Sequence, residues 1–112
     1  MEAYERDVQT YETEEGKVPF SLWLKGLRDV KARAIIRNRI NRLRIGNFGD
    51  CKSVGEGVFE LRVNFGPGYR IYFALEGDQV VILLWGGEKD SQTSDIAKAK
   101  EFWSNYRSRD DA

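Results

Sequence analysis

Arg62, Arg70, Tyr72 and Lys89 are the residues of this 112-residue chain best placed to act on a charged substrate. Arg62 stands in Leu-Arg-Val and Arg70 in Gly-Tyr-Arg, on either side of the turn Gly66-Pro67-Gly68. Guanidiniums present planar forks of donors to carboxylate and phosphate oxygens, and two side by side repel unless an anion lies between them. The chain has no histidine and a single cysteine, Cys51. It therefore lacks the usual neutral-pH base, the usual zinc ligands and an internal disulfide. Chemistry falls to Arg, Lys, Tyr and carboxylates, and neither metal nor cofactor is expected. Gly55-Glu56-Gly57 lacks the third glycine of a dinucleotide fingerprint, and Ser91 has no histidine with which to form a triad.

Those side chains must be positioned by a hairpin. Phe59, Leu61, Val63 and Phe65 alternate with Glu60, Arg62 and Asn64, and beyond the turn Tyr69, Ile71, Phe73 and Leu75 alternate with Arg70, Tyr72 and Ala74. This is the period of half-buried strands. A three-residue loop at 66–68 pairs Phe65 with Tyr69, and from there Val63 with Ile71, Leu61 with Phe73, Arg62 with Tyr72 and Asn64 with Arg70. Arg62 and Arg70 become diagonal neighbours within reach of Tyr72. Glycine at both ends of the loop keeps bulk away from Arg70, as an approaching ligand would require. The alternative is that Glu60 or another acid pairs with both arginines on an exposed sheet face. Gly86-Gly87-Glu88-Lys89 either lets Lys89 lean toward the same face or is an ordinary strand-to-helix loop.

The remaining elements frame that hairpin. An edge strand is expected within 3–13. Pro19 suits a first helical turn, followed by Phe20, Trp23, Leu24 and Leu27 on one face. Asp29 can cap a second helix with the stripe Ala32, Ile36, Ile40 and Leu43, stopped by Gly46-Asn47. Val80 to Trp85 is apolar on both faces, as in a central strand covered on each side. A last helix starts near 91–94 and aligns Ile96, Ala99, Trp103 and Tyr106. Trp23, Trp85 and Trp103 fall on apolar faces and suit core packing better than base stacking. The order predicts an α+β domain spanning 1–112: an N-terminal strand, a helical hairpin, a twisted antiparallel sheet of three to four further strands, and a C-terminal helix.

A formal net charge of zero conceals a segregated distribution. Residues 25–44 carry eight Lys or Arg against the single Asp29, while residues 2–15 hold six acids against Arg6. The basic block, which includes Arg33, Arg37 and Arg44, is either a solvated helix face or a surface for a polyanion or acidic partner. The longest apolar run, Val80 to Trp85, is too short to span a membrane, and the acidic start lacks the features of a signal peptide. A cytoplasmic chain with no membrane partner is expected.

Taken jointly, 44–50 (RIGNFGD), 54–58 (VGEGV), Glu60-Leu61-Arg62, 66–73 (GPGYRIYF), Gly86-Gly87 with Lys89, and Asp95-Ile96 with Ala97 and Ala99 resemble the RelE/ParE toxin superfamily, most closely its HigB-like branch, the addiction module killer proteins. The resemblance runs from about Phe20 to Phe102. It implies a RelE-like α+β fold and the toxin of a type II toxin–antitoxin module, neutralised by a cognate antitoxin, a helix-turn-helix protein through which alone operator DNA would be met. It further implies a metal-independent endoribonuclease, an mRNA interferase acting on mRNA at the ribosome. Matched by motif, Arg70, Arg62 and Lys89 take the catalytic positions, with Tyr72 or Glu60 sharing proton transfer. Arg33, Arg37, Arg44, Lys52 and Asn64 would hold RNA. The late tyrosine used by some relatives has no counterpart in Ser-Gln-Thr-Ser-Asp at 91–95, and the histidines used by others are missing. Two rivals remain open: a ParE-like DNA gyrase poison, and a non-catalytic module that binds antitoxin or nucleic acid.

Overall fold

The structure is a computed structural model that describes residues 4–110. The sequence-predicted first strand begins at residue 3, so its first residue lies outside the described part. Nine elements follow in order: β1 (Asp7–Thr10), α1 (Pro19–Gly26), α2 (Val30–Arg44), β2 (Cys51–Gly55), β3 (Val58–Val63), β4 (Tyr69–Glu76), β5 (Val80–Glu88), a single 3-10 turn (Lys89–Ser91) and α3 (Gln92–Asp110). The helices begin and end where their sequences dictate. Pro19 opens α1. The Asp29 carboxylate accepts from the backbone N–H of Lys31 and Ala32 at 2.9 and 3.1 Å, capping α2. At the far end of α2, Gly46 takes φ +86° and its N–H bonds to Leu43 O, while that of Asn47 bonds to Arg42 O.

The strands form one five-stranded sheet in the order β1-β5-β4-β3-β2. Four strands are antiparallel, but β1 runs parallel to β5, so the sheet is mixed rather than wholly antiparallel. β5 lies inside it between β1 and β4, as a strand apolar on both faces must. The alternation expected of β3 and β4 holds residue for residue. Leu61, Val63, Tyr69, Ile71 and Phe73 face α1 and α2, joining Phe20, Leu24, Ala32, Ile36, Ile40 and Leu43 in one core.

The opposite face is covered as well. α3 packs there over a second core containing Val58, Tyr72, Ala74, Ile82, Leu84, Ala99 and Trp103, with Tyr11 from the segment after β1. β3 and β4 are therefore buried on both sides in their middle, where alternation alone had indicated half-burial. Leu84 is the extra residue of a bulge in β5 opposite Tyr72 and Phe73.

The hairpin register differs from the sequence expectation. Val63 pairs with Tyr69, Leu61 with Ile71, Glu60 with Tyr72, and Arg62 lies directly opposite Arg70. The loop spans 64–68 rather than 66–68. The Phe65 N–H turns back to Val63 O at 3.0 Å and the Gly68 N–H to Phe65 O at 3.0 Å, which takes Asn64 and Phe65 out of the ladder. Gly66 and Gly68 hold φ +55° and +83°, values that side-chain-bearing residues avoid. The two-residue slip leaves every side chain on its expected face and changes its neighbour.

Candidate nucleic-acid interface

Directly opposed arginines need a reason, and Glu60 supplies it. Glu60 sits on β3 opposite Tyr72 and is completely buried. One carboxylate oxygen, Oε1, accepts from Arg62 Nε at 3.0 Å and faces Arg70 Nε at 3.7 Å. The other, Oε2, accepts from Gln92 Nε2 at 2.7 Å and from the Tyr72 hydroxyl at 3.3 Å. Burial raises the carboxyl pKa, but the hydrogen bonds from Gln92 and Arg62 and the charges of Arg70 and Arg62 outweigh it and hold the group below the ordinary glutamate value. The carboxylate stays ionised and fixes the inner ends of both guanidiniums.

Arg70 is buried to 8% side-chain exposure and Arg62 to 32%. Arg70 Nε is fully enclosed and makes no hydrogen bond, since Glu60 lies just beyond that distance. On the far side of Arg70, β5 offers Gly87. A Cβ there would fall 1.8 Å from Asp95 Oδ2, so only glycine lets α3 approach. Its neighbour Gly86 is equally constrained from the other face, where a Cβ would lie 2.2 Å from the Trp23 ring. Asp95 is held in turn by Trp85 Nε1 at 2.8 Å and by the Ser91 hydroxyl. The paired glycines are thus the points where helices from both layers touch the sheet, and Asp95 fixes the start of α3 from which Gln92 reaches Glu60.

The backbone N–H of Lys89 donates to Gly68 O at 2.8 Å, tying the 3-10 turn to the hairpin loop. The result is an open groove of about 760 Å³ lined by Arg62, Asn64, Gly68, Arg70, Lys89 and Gln92, with Asp50 at its rim. Arg62, Arg70, Lys89 and Asn64 are therefore brought together. Tyr72 is not among the lining residues. It is fully buried behind Glu60, and burial followed by the Glu60 and Asp95 charges raises its phenol pKa strongly. The sequence expectation that Tyr72 completes an accessible face with the arginines is thereby corrected: the shifted register makes it a support beneath them.

The basic helix lies elsewhere. Arg33 donates to the Leu27 carbonyl, Arg37 is exposed on α2, and Arg44 lines a separate depression with Glu5, Arg6, Asp7 and Gln79. Lys52, opposite Glu60 on β2, is exposed on the sheet face that α3 covers. Arg39, from the same basic run, is buried. Its Nη2 donates to Phe48 O and Arg62 O, each at 3.4 Å, and burial lowers its pKa. Gly49 leaves room for it, since a Cβ there would meet Arg39 Nη1 at 2.7 Å. Sequence reading missed Gln92 and Asp50 in the groove and gave Glu60 only a subsidiary part. The signal for Glu60 was its position two residues before Arg62 on the same strand face. Gln92 carried none.

The groove is electropositive, open and backed by a buried anion, which suits it to bind a phosphate group. Comparison with known proteins agrees with the fold. An uncharacterized protein of Haemophilus influenzae is 51% identical over 81 residues, covering 72% of this chain and 82% of that protein. Residues 23–103 match the family model described as "Phage derived protein Gp49-like (DUF891)", a span that holds every groove residue. The chain belongs to this Gp49-like family, a family of RelE-like toxins associated with toxin–antitoxin modules.

Proposed function

We propose that the chain is the toxin of a type II toxin–antitoxin module and acts as a metal-independent endoribonuclease on mRNA at the ribosome, in the manner of HigB-like toxins. The observation that carries this reading is the convergence of Arg62, Arg70 and Lys89 on one open groove, with the Glu60 carboxylate hydrogen-bonded to Arg62 Nε and ion-paired with Arg70 Nε. Engagement at Nε leaves the outer N–H groups of each guanidinium for a ligand. In the proposed reaction the RNA 2′-hydroxyl gives its proton to solvent water and its oxygen bonds to the adjacent phosphorus as the bond to the 5′-oxygen breaks, leaving a 2′,3′-cyclic phosphate. Charge builds on the non-bridging oxygens, which the paired guanidiniums neutralise, and Lys89 at the rim donates a proton to the departing 5′-oxygen. A cognate helix-turn-helix antitoxin would suppress the activity by covering this groove or the exposed arginines of α2.

Induced expression of the wild-type chain in bacteria tests the reading. Growth arrest with mRNA cut within codons is expected, and Arg70→Ala should lose it while the protein stays folded. Removing one such donor costs about 10²–10³ in rate. Arrest with intact mRNA and damaged DNA would overturn the nuclease in favour of a gyrase poison. A folded Arg70→Ala chain as toxic as wild type would overturn the assignment of the site.

A further inference from the structure

A second basic feature lies at the other end of α3. Lys100, Ser104, Arg107 and Ser108 line a depression of about 450 Å³ with Trp103 at its base and Glu56 at its edge. It is built by the β2–β3 turn. Gly55, Glu56 and Gly57 all take positive φ, at +98°, +54° and +83°. This conformation disfavours a side chain at each position, yet Glu56 has one, and it projects onto the rim. A Cβ at Gly55 would lie 3.3 Å from Lys100 Nζ, and one at Gly57 would lie 2.9 Å from Trp103 Nε1. The turn thus seats Lys100 and Trp103 directly against the backbone.

Among the described residues neither Lys100 nor Arg107 has a carboxylate within ion-pair distance, and Arg107 rests over the Trp103 ring. Across α3, Glu101 shares a depression with Glu14 and Glu15, and Arg109 faces Glu14 there at 4.0 Å, whereas Glu56 is the one acid lining the depression of Lys100 and Arg107. The depression and the groove are linked along β2, whose five residues join Asp50 in the groove lining to Glu56 at the edge of the depression. Lys52 stands exposed between them, on the strand face it shares with Glu60. At 1.5 Å per residue, Lys100 lies about 12 Å and Arg107 about 22 Å along the helix from Gln92.

We infer that the seam between α3 and β2 is a track for single-stranded RNA, in which Lys52, Lys100 and Arg107 hold successive phosphates of the strand whose scissile phosphate lies between Arg62 and Arg70. The inference rests on the nuclease reading for its direction toward the groove. Cations interleaved with the hydroxyls of Ser104 and Ser108 suit a ribose-phosphate chain, which offers anionic oxygens and 2′-hydroxyls by turns. Trp103 is nearly buried and stacked on Tyr106 at 5.4 Å, so the track recognises backbone and not base identity. Glu56 repels the strand at the turn.

The probe is a 2′-O-methyl oligouridylate, which binds but cannot be cut, in a chain of about twelve nucleotides, within the ~4–16 of known single-strand grooves. Binding is followed by anisotropy across salt concentration for wild type, Lys100→Met with Arg107→Gln, Glu56→Gln and Arg70→Ala, with the fold of each checked by circular dichroism. Each lost phosphate contact should flatten the slope of log K against log salt by about 0.7, so the double variant should lose about 1.4 on the long chain and nothing on a dinucleotide. Glu56→Gln should tighten binding. An unchanged slope in the folded double variant overturns the track, as does an equal loss on the dinucleotide, no RNA binding at all, or loss of binding confined to an acidic peptide. Intact mRNA in arrested cells with the slope difference retained would sink the nuclease reading and leave the track standing. Cut mRNA with unchanged slopes would do the reverse.

Discussion

Replacing Glu60 by Gln preserves shape and removes the charge on which the arginine pair depends. In the native chain the carboxylate is wholly buried, accepts from Arg62, Gln92 and Tyr72, and faces Arg70, whose side chain is only 8% exposed. Arg62 is a third exposed and can turn to water, so its loss counts for little. Arg70 cannot, and a buried charge left without its partner costs about 3–5 kcal/mol. The glutamine amide adds a second penalty, because it directs a donor where the native site holds only donors. A domain of this kind has about 5–15 kcal/mol in all. With a urea m-value of about 1–3 kcal/mol/M, the midpoint should fall by more than about 1 M at unchanged m. Unfolding can be followed through tryptophan fluorescence. The double variant Glu60→Leu with Arg70→Met removes both charges and should recover much of the loss, since apolar replacement of a buried pair is often neutral or better. A Glu60→Gln midpoint within about 0.3 M of wild type, or a double variant worse than the single, would refute the view that Glu60 holds the site together.

The same carboxylate makes stability depend on pH. Its folded pKa lies below the ordinary 4.5, so its contribution is complete above that value and is lost as pH falls through the folded pKa. Urea midpoints should therefore drop on acidification below about pH 4.5 in wild type, and the drop should be shallower in Glu60→Gln; parallel curves would count against it. Gly87→Ala places a methyl 1.8 Å from Asp95 Oδ2 and must push α3 off the sheet, at a cost of about 1–3 kcal/mol or more, read as a lowered midpoint. A fully stable Gly87→Ala variant would show that the close approach is not required. Burial raises the Cys51 thiol to about 11, so alkylation near pH 8 should be far slower than for a free cysteine of pKa about 8.5 and should accelerate on unfolding. Equal rates before and after unfolding would contradict its protected position.

How much of this could be read in advance follows from which forces act locally. Asp29 and Gly46-Asn47 mark the ends of α2 because caps satisfy backbone groups within a few residues, and the structure has the bonds expected there. The apolar stripe of α2 and the alternation of β3 and β4 are likewise local, and each side chain lies on its expected face. The helix covering the second sheet face could not be read from alternation, since Glu60 and Arg62 read as solvent-facing until Gln92 and Asp95 arrive from α3. The parallel placement of β1 beside β5 is a long-range choice of the same sort.

The hairpin shows why a site can be half legible. Strand parity depends on whether a residue is odd or even, and a slip of two leaves parity untouched; Arg62, Arg70 and Tyr72 therefore share a face under either register. Partner identity depends on loop length, which turned on whether Asn64 and Phe65 extend the strand or enter the turn. A strand-like alternation argued for the first. The bonds from Phe65 N–H to Val63 O and from Gly68 N–H to Phe65 O decide for the second. With the loop at 66–68, Tyr72 would face Arg62 and a phenol would be the arginine's companion. With it at 64–68, Tyr72 faces Glu60, and the carboxylate comes between the phenol and the arginines. That exchange takes the tyrosine out of the groove, places a buried anion behind two cations, and leaves Lys89 exposed beside them with Asp50 in the same lining. The arginines alone indicated an anion site, and the glutamate behind them explains how two guanidiniums can face each other before any ligand arrives.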